Sequence, residues 1–458
     1  MSTTHRSALA LTAGLALAVS LTACGSGGEG DDGKLLVWSL EVQPDRVAAT
    51  QAVIDAYTDE SGVDVELVPV EEAQIPQLLS AAALAHEMPD VIGALPLGLV
   101  RSFDGDGYLD REAAGAVVEA LGADTWEAST LDLTRDGDQQ LAVPADAWAQ
   151  ILVYRTDLFD AAGLEAPDDY DALLEAAEAL TADGRYGISI ATDPGDPFTQ
   201  QTFESLALGN GCELADDTGA VTLDSDACTE TIELYGALAG DASPDGTQSV
   251  DSTRAAYFSG QAAMTVWSTF LLDELAGLRN DAMPSCPECA EPGWLAEHTG
   301  IVPLVTGPSA DDAGSYGELT SWAITEDAGD GASGFVEYML SDGYEGWLAM
   351  APEGKFPARL GTSDAPSAFA DAWAKLAMGV DTRAPLGEIY PAETVEAVQG
   401  VTADLARWAI PQGQGRLVGP LTAELPIAKI IADLAAGGVD ASTAQQQMQD
   451  AVQEIADR

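Results

Sequence analysis

Leu141-Ala-Val-Pro-Ala-Asp-Ala-Trp-Ala-Gln-Ile-Leu-Val-Tyr-Arg-Thr-Asp-Leu-Phe159 is where the pattern of the chain changes. Ile151 to Tyr154 is a continuous apolar run, which reads as a buried strand leaving one structural unit. Thr156 and Asp157 then open a helical pattern belonging to the next. Before this stretch, apolar runs at 34–38, 63–70 and 89–92 alternate with helical patterns from 45 to 61 and from 75 to 86. Such strand–helix alternation predicts an α/β lobe with a mainly parallel sheet. After it, helices are expected over 170–180, 201–208, 227–239 and 252–259, with strands at 186–190 and 262–267. A helix over 270–278, an irregular Pro- and Cys-rich segment at 281–299, a strand at 316–325 and a helix at 331–340 follow, and the last hundred residues read as mostly helical.

The N-terminus supplies an address. Arg6 precedes a short Ala/Leu/Val run that ends in Leu21-Thr-Ala-Cys24-Gly25. The run is too short for a stable membrane span and reads as a secretory signal peptide over 1–23. The cysteine position resembles the bacterial lipobox, which implies cleavage before Cys24 and acylation of its thiol. Several acyl chains on one residue would hold the protein at the outer face of a membrane. Residues 24–33, rich in Gly, Ser and Asp, form the expected flexible tether. What remains is longer than one compact core covers, so two lobes are expected.

The chain carries 76 acidic against 18 basic residues, a net charge of −58, and only four lysines, Lys34, Lys355, Lys375 and Lys429. That balance excludes nucleic acid and anionic lipid headgroups as partners. The acids are spread over turns and helix starts as in a solvated surface, which fits a protein adapted to high salt, where screening removes self-repulsion. No calcium-loop pattern occurs, and no metal or cofactor is expected. Beyond Cys24 there are Cys212, Cys228, Cys286 and Cys289. Export favours disulfides, and four cysteines allow three pairings. Cys212 with Cys228 is the favoured pair, worth about 3 kcal/mol on loop entropy. Cys286-Pro-Glu-Cys289 would be the second; it also reads as a redox dithiol, or as half a zinc site with His298 nearby.

Five pieces, in order and spacing, resemble the extracellular solute-binding proteins of ABC importers, in the sugar-binding family that includes maltose-binding protein. Lys34-Leu-Leu-Val-Trp38 is similar to the family's opening strand, and Ser61-Gly-Val-Asp-Val65 to the start of its second. Ala83-Leu-Ala-His-Glu-Met-Pro-Asp-Val-Ile92 resembles its "A-x-A-x-G-x-x-P-D-V" segment. Leu141 to Phe159 resembles its crossover, and Tyr257-Phe-Ser-Gly-Gln-Ala-Ala-Met-Thr265 its "F-x-x-G-K-A-A-M". The resemblance covers nearly all of the chain after the signal. It implies an α/β, two-lobed periplasmic-binding-protein-like fold with a discontinuous hinge and a ligand cleft between lobes. Residues 34–147 with 301–345 would form the first lobe, and 148–300 with 346–458 the second. It further implies a non-enzymatic monomer on the outer face of the cell membrane that hands a carbohydrate to a transporter permease.

A sugar site needs aromatic platforms and bidentate polar groups. Trp148 and Asp146 lie in the crossover itself. The resemblance places a cleft aromatic after the Ala-Ala-Met strand, at Trp267 or Phe270, and polar contacts after the first strand, at Glu41 and Gln43. Trp322 on the returning strand and Asp196 complete the expected set. Where maltose-binding protein carries a sugar-touching Trp and Asp, this chain has Ala94 and Leu97, so a maltodextrin ligand is not implied. Two rivals stand beside this reading. One is a binding protein for a compatible solute, polyamine or amino acid, which would use the same tryptophans through cation–π contact. The other is an anchored glycoside hydrolase, for which the many acids supply carboxylate pairs but no other hydrolase motif is present.

Overall fold

The computed structural model describes residues 34–182, 184–310 and 313–458; the signal peptide, Cys24 and the whole tether lie outside them. The first strand, β1 (Lys34–Ser39), leads into helix α1 (Pro44–Ser61), which starts with proline at its head and stops where Gly62 adopts a left-handed φ of 75°. Proline's fixed φ suits a first turn, and glycine tolerates the reversal that closes the last one. Strand β2 (Asp64–Pro69), helix α2 (Ile75–Ala85) and strand β3 (Val91–Pro96) follow. β1 sits between β2 and β3 and pairs with both in parallel, as the alternation predicted.

The crossover strand is much longer than its apolar run. β4 (Val143–Arg155) is 13 residues long and changes neighbours midway. The other strands that join it, directly or through a neighbour, are β5 (Met264–Ser268), β6 (Thr299–Val302), β7 (Ser315–Ile324), β8 (Phe356–Pro357) and β9 (Leu405–Ala406). The first half of β4 pairs antiparallel with β7, from Val143↔Trp322 to Ala149↔Gly317, and β7 continues the order through β3 and β1 to β2. From Gln150 onward β4 pairs instead with β5, Gln150↔Ser268 to Tyr154↔Met264, and with β6, Leu152↔Val302 to Arg155↔Thr299. One strand therefore serves two sheets, and its partners are exchanged at 148–151.

The cores follow the two halves. One hydrophobic cluster gathers Leu35, Val37, Val91, Trp322, Phe335 and Trp347; another gathers Leu152, Leu173, Phe203, Tyr235 and Ile431. Leu348, Met350, Ala351, Ala358 and Phe369, expected with the second lobe, pack into the first cluster, while Val302 and Val305, expected with the first lobe, pack into the second. A third cluster around Trp267, Tyr257, Phe356 and Trp373 takes residues from β4, β5 and β8 and from helices on either side of them in sequence. Among the described residues no helix is long and apolar enough to cross a membrane.

Two expectations change in detail. Residues 186–190 form only the single bridges Tyr186↔Ala262 and Ser189↔Thr265 rather than a strand. The helix expected to reach 278 ends at Leu275, just before Gly277 turns to φ 70°. Cys212 is bonded to Cys228 (S–S 2.04 Å) and Cys286 to Cys289, so the Cys-Pro-Glu-Cys stretch is a disulfide and not half of a zinc site. His298 stacks on Trp294 instead, with ring centroids 4.0 Å apart.

Candidate ligand-binding site

Where β4 passes between sheets, side chains from distant parts of the sequence converge. Glu41 follows β1, Arg46 lies in the first turn of α1, and Lys355 sits just before β8. Lys355 Nζ is 2.7 Å from Glu41 Oε1 and 3.2 Å from Asp146 Oδ1, and Arg46 Nη1 is 3.0 Å from Glu41 Oε2. Trp347 Nε1, on helix α3 (Tyr344–Leu348), donates to the other Asp146 oxygen at 2.6 Å, and its ring lies 4.3 Å from Lys355 Nζ. Burial alone would raise the Glu41 pKa, but Lys355 and Arg46 outweigh it and hold the carboxyl at about 2. Burial would lower the Lys355 pKa, and Asp146 with Glu41 keeps it raised instead.

A second ion cluster ties the two cores. Arg407, just after β9, donates to Glu204 Oε1 (3.3 Å) and to Glu318 Oε2 (2.6 Å), and Glu318 Oε1 also accepts from the Leu97 backbone at 3.0 Å. Glu204 belongs to the second core's helix Pro197–Gly209, whereas Glu318 lies on β7. Burial would lower the Arg407 pKa, and Glu318, Tyr316 and Glu204 together keep it raised.

Between the two ion clusters runs a row of rings. The Arg46 guanidinium lies 5.7 Å from the Phe270 ring, Phe270 is 6.4 Å from Trp148, Trp148 is 6.1 Å from Tyr316, and Arg407 lies 4.8 Å from Tyr316. Trp148 and Phe270 are half-buried, so each side chain remains partly accessible. Gly354 is required here, since a Cβ on it would fall 1.9 Å from the Phe270 ring. Behind Phe270, Asp273 is fully buried with neither carboxylate oxygen bonded, and Glu353 beside it leaves one oxygen unbonded. Burial first, and Glu353 second, push the Asp273 carboxyl up to about 8.

The sequence-expected residues divide. Glu41, Asp146, Trp148 and Phe270 meet at this point, although both Asp146 oxygens are already taken by Trp347 and Lys355. Gln43 lies close by in sequence, exposed at the head of α1. Trp322 does not join them: it is wholly buried in the first core, edge-on to Phe335 and 4.8 Å from Trp347, and a Cβ on Gly93 would strike it at 2.3 Å. Trp267 is buried too, against Phe198 at 6.1 Å, with its Nε1 donating to the Val250 carbonyl. Asp196 caps Pro197–Gly209, its Oδ1 accepting from Phe198 N and its Oδ2 from Val250 N. Arg46, Glu204, Tyr316, Glu318, Lys355 and Arg407 were not foreseen. The one available signal was Lys355, since a chain with so few lysines has little use for one except at a fixed partner.

Residues 42–346 match the family described as bacterial extracellular solute-binding protein. The chain belongs to that family. An Escherichia coli (strain K12) protein named for an ABC transporter periplasmic-binding role, YcjN, is 27% identical over 326 residues, covering 69% of this chain and 71% of its own. Among solved structures, the cyclic α-maltosyl-1,6-maltose binding protein of Arthrobacter globiformis superposes with a TM-score of 0.70 at 18% identity, covering 92% of this chain and 98% of its own. The GacH receptor of Streptomyces glaucescens, solved unliganded and with acarbose, gives 0.65 at 19% identity over 93% and 99%. These likenesses establish the two-lobed α/β fold of solute-binding proteins, a family of transport binding proteins rather than of enzymes.

Proposed function

We propose that the protein captures a carbohydrate, either a mono- or an oligosaccharide, in a cleft between its lobes and delivers it to an ABC transporter permease by closing around it. The observation that carries this reading is the row Phe270–Trp148–Tyr316, flanked by Arg46 with Glu41 at one end and Arg407 with Glu318 at the other. Partly accessible aromatic rings such as Trp148 and Phe270 suit the weakly apolar face of a sugar, and the fixed carboxylates and guanidinium groups suit its hydroxyls. Glu41, Trp148 and Phe270 are the sequence-expected contacts retained in the proposal, with Gln43 at its edge and Asp146 holding Lys355 in place. Trp267, Trp322 and Asp196 are left out of it.

The lobes meet at 148–151 of β4, where ladder partners change. A ligand that touches both sides favours the closed form only through its greater affinity for it. Acylated Cys24 and the tether would keep this catcher at the outer face of the membrane, within reach of the permease. The names of two structural relatives, one for a cyclic maltosyl-maltose and one solved with acarbose, support a saccharide cargo.

A thermal-shift screen of mono- and oligosaccharides, polyols, betaines, polyamines and amino acids at molar salt tests the reading. A true ligand at a hundredfold excess over its Kd adds about 2.7 kcal/mol of stability. A shift from a saccharide is the expected result; a shift from betaines or amino acids with none from any saccharide refutes it.

A further inference from the structure

Gln150 is the residue at which β4 leaves one sheet for the other, and its side chain is 1% exposed with neither amide atom hydrogen-bonded. A buried amide without partners is costly, by roughly 1–3 kcal/mol on mutational scales. Its neighbourhood is polar enough to relieve that cost. Gln150 lines a cavity of about 10 Å³, space for a single hydroxyl-sized group, together with Ser205, Ser315, Tyr316, Leu152 and Val305. Side chains two apart along a strand share a face, so Gln150 lies on the face of β4 that carries Asp146 and Trp148. Tyr316 belongs both to the cavity wall and to the row of rings, 6.1 Å from Trp148.

We propose that Gln150 is a ligand-reading residue: its amide, with the hydroxyls of Ser205 and Ser315, receives one pendant hydroxyl of a bound carbohydrate beneath the Trp148–Tyr316 pair. This rests on the reading that a saccharide occupies the cleft. An amide offers two donors and an acceptor, and a hydroxyl can satisfy one of each. A site built to hydrogen-bond a hydroxyl rejects the analogue that lacks it far more strongly than an apolar pocket does. Position at the pivot adds a second consequence, because a group seated there touches residues of both β4 halves.

The test uses the full mature chain, its best saccharide from the screen, and that saccharide's series of monodeoxy analogues, with affinities by calorimetry. Gln150→Met keeps length and removes the amide. The wild type should lose at least tenfold in affinity for one deoxy analogue; Gln150→Met should lose at least tenfold for the parent sugar and show no further loss for that analogue. Melting of the unliganded variant should not fall, because no bond is broken. Ser205→Ala, a milder change on a half-buried helix position, should narrow the same deoxy discrimination and serves if the Met variant does not fold. If the wild type binds the sugar and both variants bind parent and analogues as the wild type does, the cavity holds solvent and the proposal is overturned. If no saccharide binds the wild type, the cleft reading itself fails, and this proposal with it.

Discussion

Replacing Asp273 by asparagine should stabilise the protein at neutral pH, and the gain should disappear in acid. The Asp273 carboxyl is fully buried behind Phe270, faces Glu353 and Glu274 with Arg279 as its counter-charge, and has a pKa of about 8 against 3.8 for an ordinary aspartate. Between these values the folded state holds a proton that the unfolded state has released. Stability therefore falls as pH rises through that window and levels off above the folded value. At about 1.4 kcal/mol per pKa unit, the wild type forfeits about 4 kcal/mol at pH 7 relative to a side chain that does not titrate. Asparagine is such a side chain, of the same shape. Urea denaturation of wild type and Asp273→Asn at pH 4, 5, 6 and 7, in constant molar KCl, reads the difference directly. The variant's advantage should be near zero at pH 4 and grow by about 1.4 kcal/mol per pH unit above it. A difference that stays constant from pH 4 to 7 would mean that Asp273 is ionised in the folded protein, and the burial argument would be wrong.

Four further outcomes are expected. Lys355→Met removes the cation shared by Glu41 and Asp146, leaving Asp146 buried without a counter-charge and Glu41 with Arg46 alone, which should cost about 3–5 kcal/mol in urea denaturation; a loss under about 1 kcal/mol would show the pair to be solvated. Glu41, held at about 2, stabilises the fold above the usual glutamate range and loses that contribution as pH falls towards 2, so the acid limb of the wild-type unfolding curve should flatten in Lys355→Met. Trp148→Ala opens the middle of the ring row and should weaken saccharide binding at least tenfold by calorimetry, with unchanged affinity counting against the cleft assignment. Opening the loop with Cys212→Ser and Cys228→Ser together should lower stability by about 3 kcal/mol, and reducing agent should then have little further effect on that loop.

The fold was readable because strand–helix alternation from β1 to β3 is a local signal, and α1 carries both its proline head and its Gly62 stop. β4 was legible only over its apolar second half. Its first half, Val143 to Ala149, is small and mixed in polarity, and becomes strand because β7 pairs with it. The tryptophans divided for a related reason. β7 and β5 are buried on both faces over most of their length, so Trp322 and Trp267 carry no alternation that would separate core from cleft. Trp148 was singled out by its position within the crossover, which is where the row of rings passes. Arg407, Glu204 and Glu318 are single polar residues in unremarkable surroundings, and their chemistry exists only once three remote segments meet. Asp196 misled because an aspartate before Pro-Phe in a turn and an N-cap have the same local sequence.

A strand that belongs to two sheets at once also constrains how the molecule comes apart. Neither core can lose β4 without exposing the edge of the other, and Arg407 joins β7 to Pro197–Gly209 in the same way. The two lobes are then one thermodynamic body despite their separate interiors, and melting should proceed in a single transition. Neither half, cut at the crossover, would stand alone.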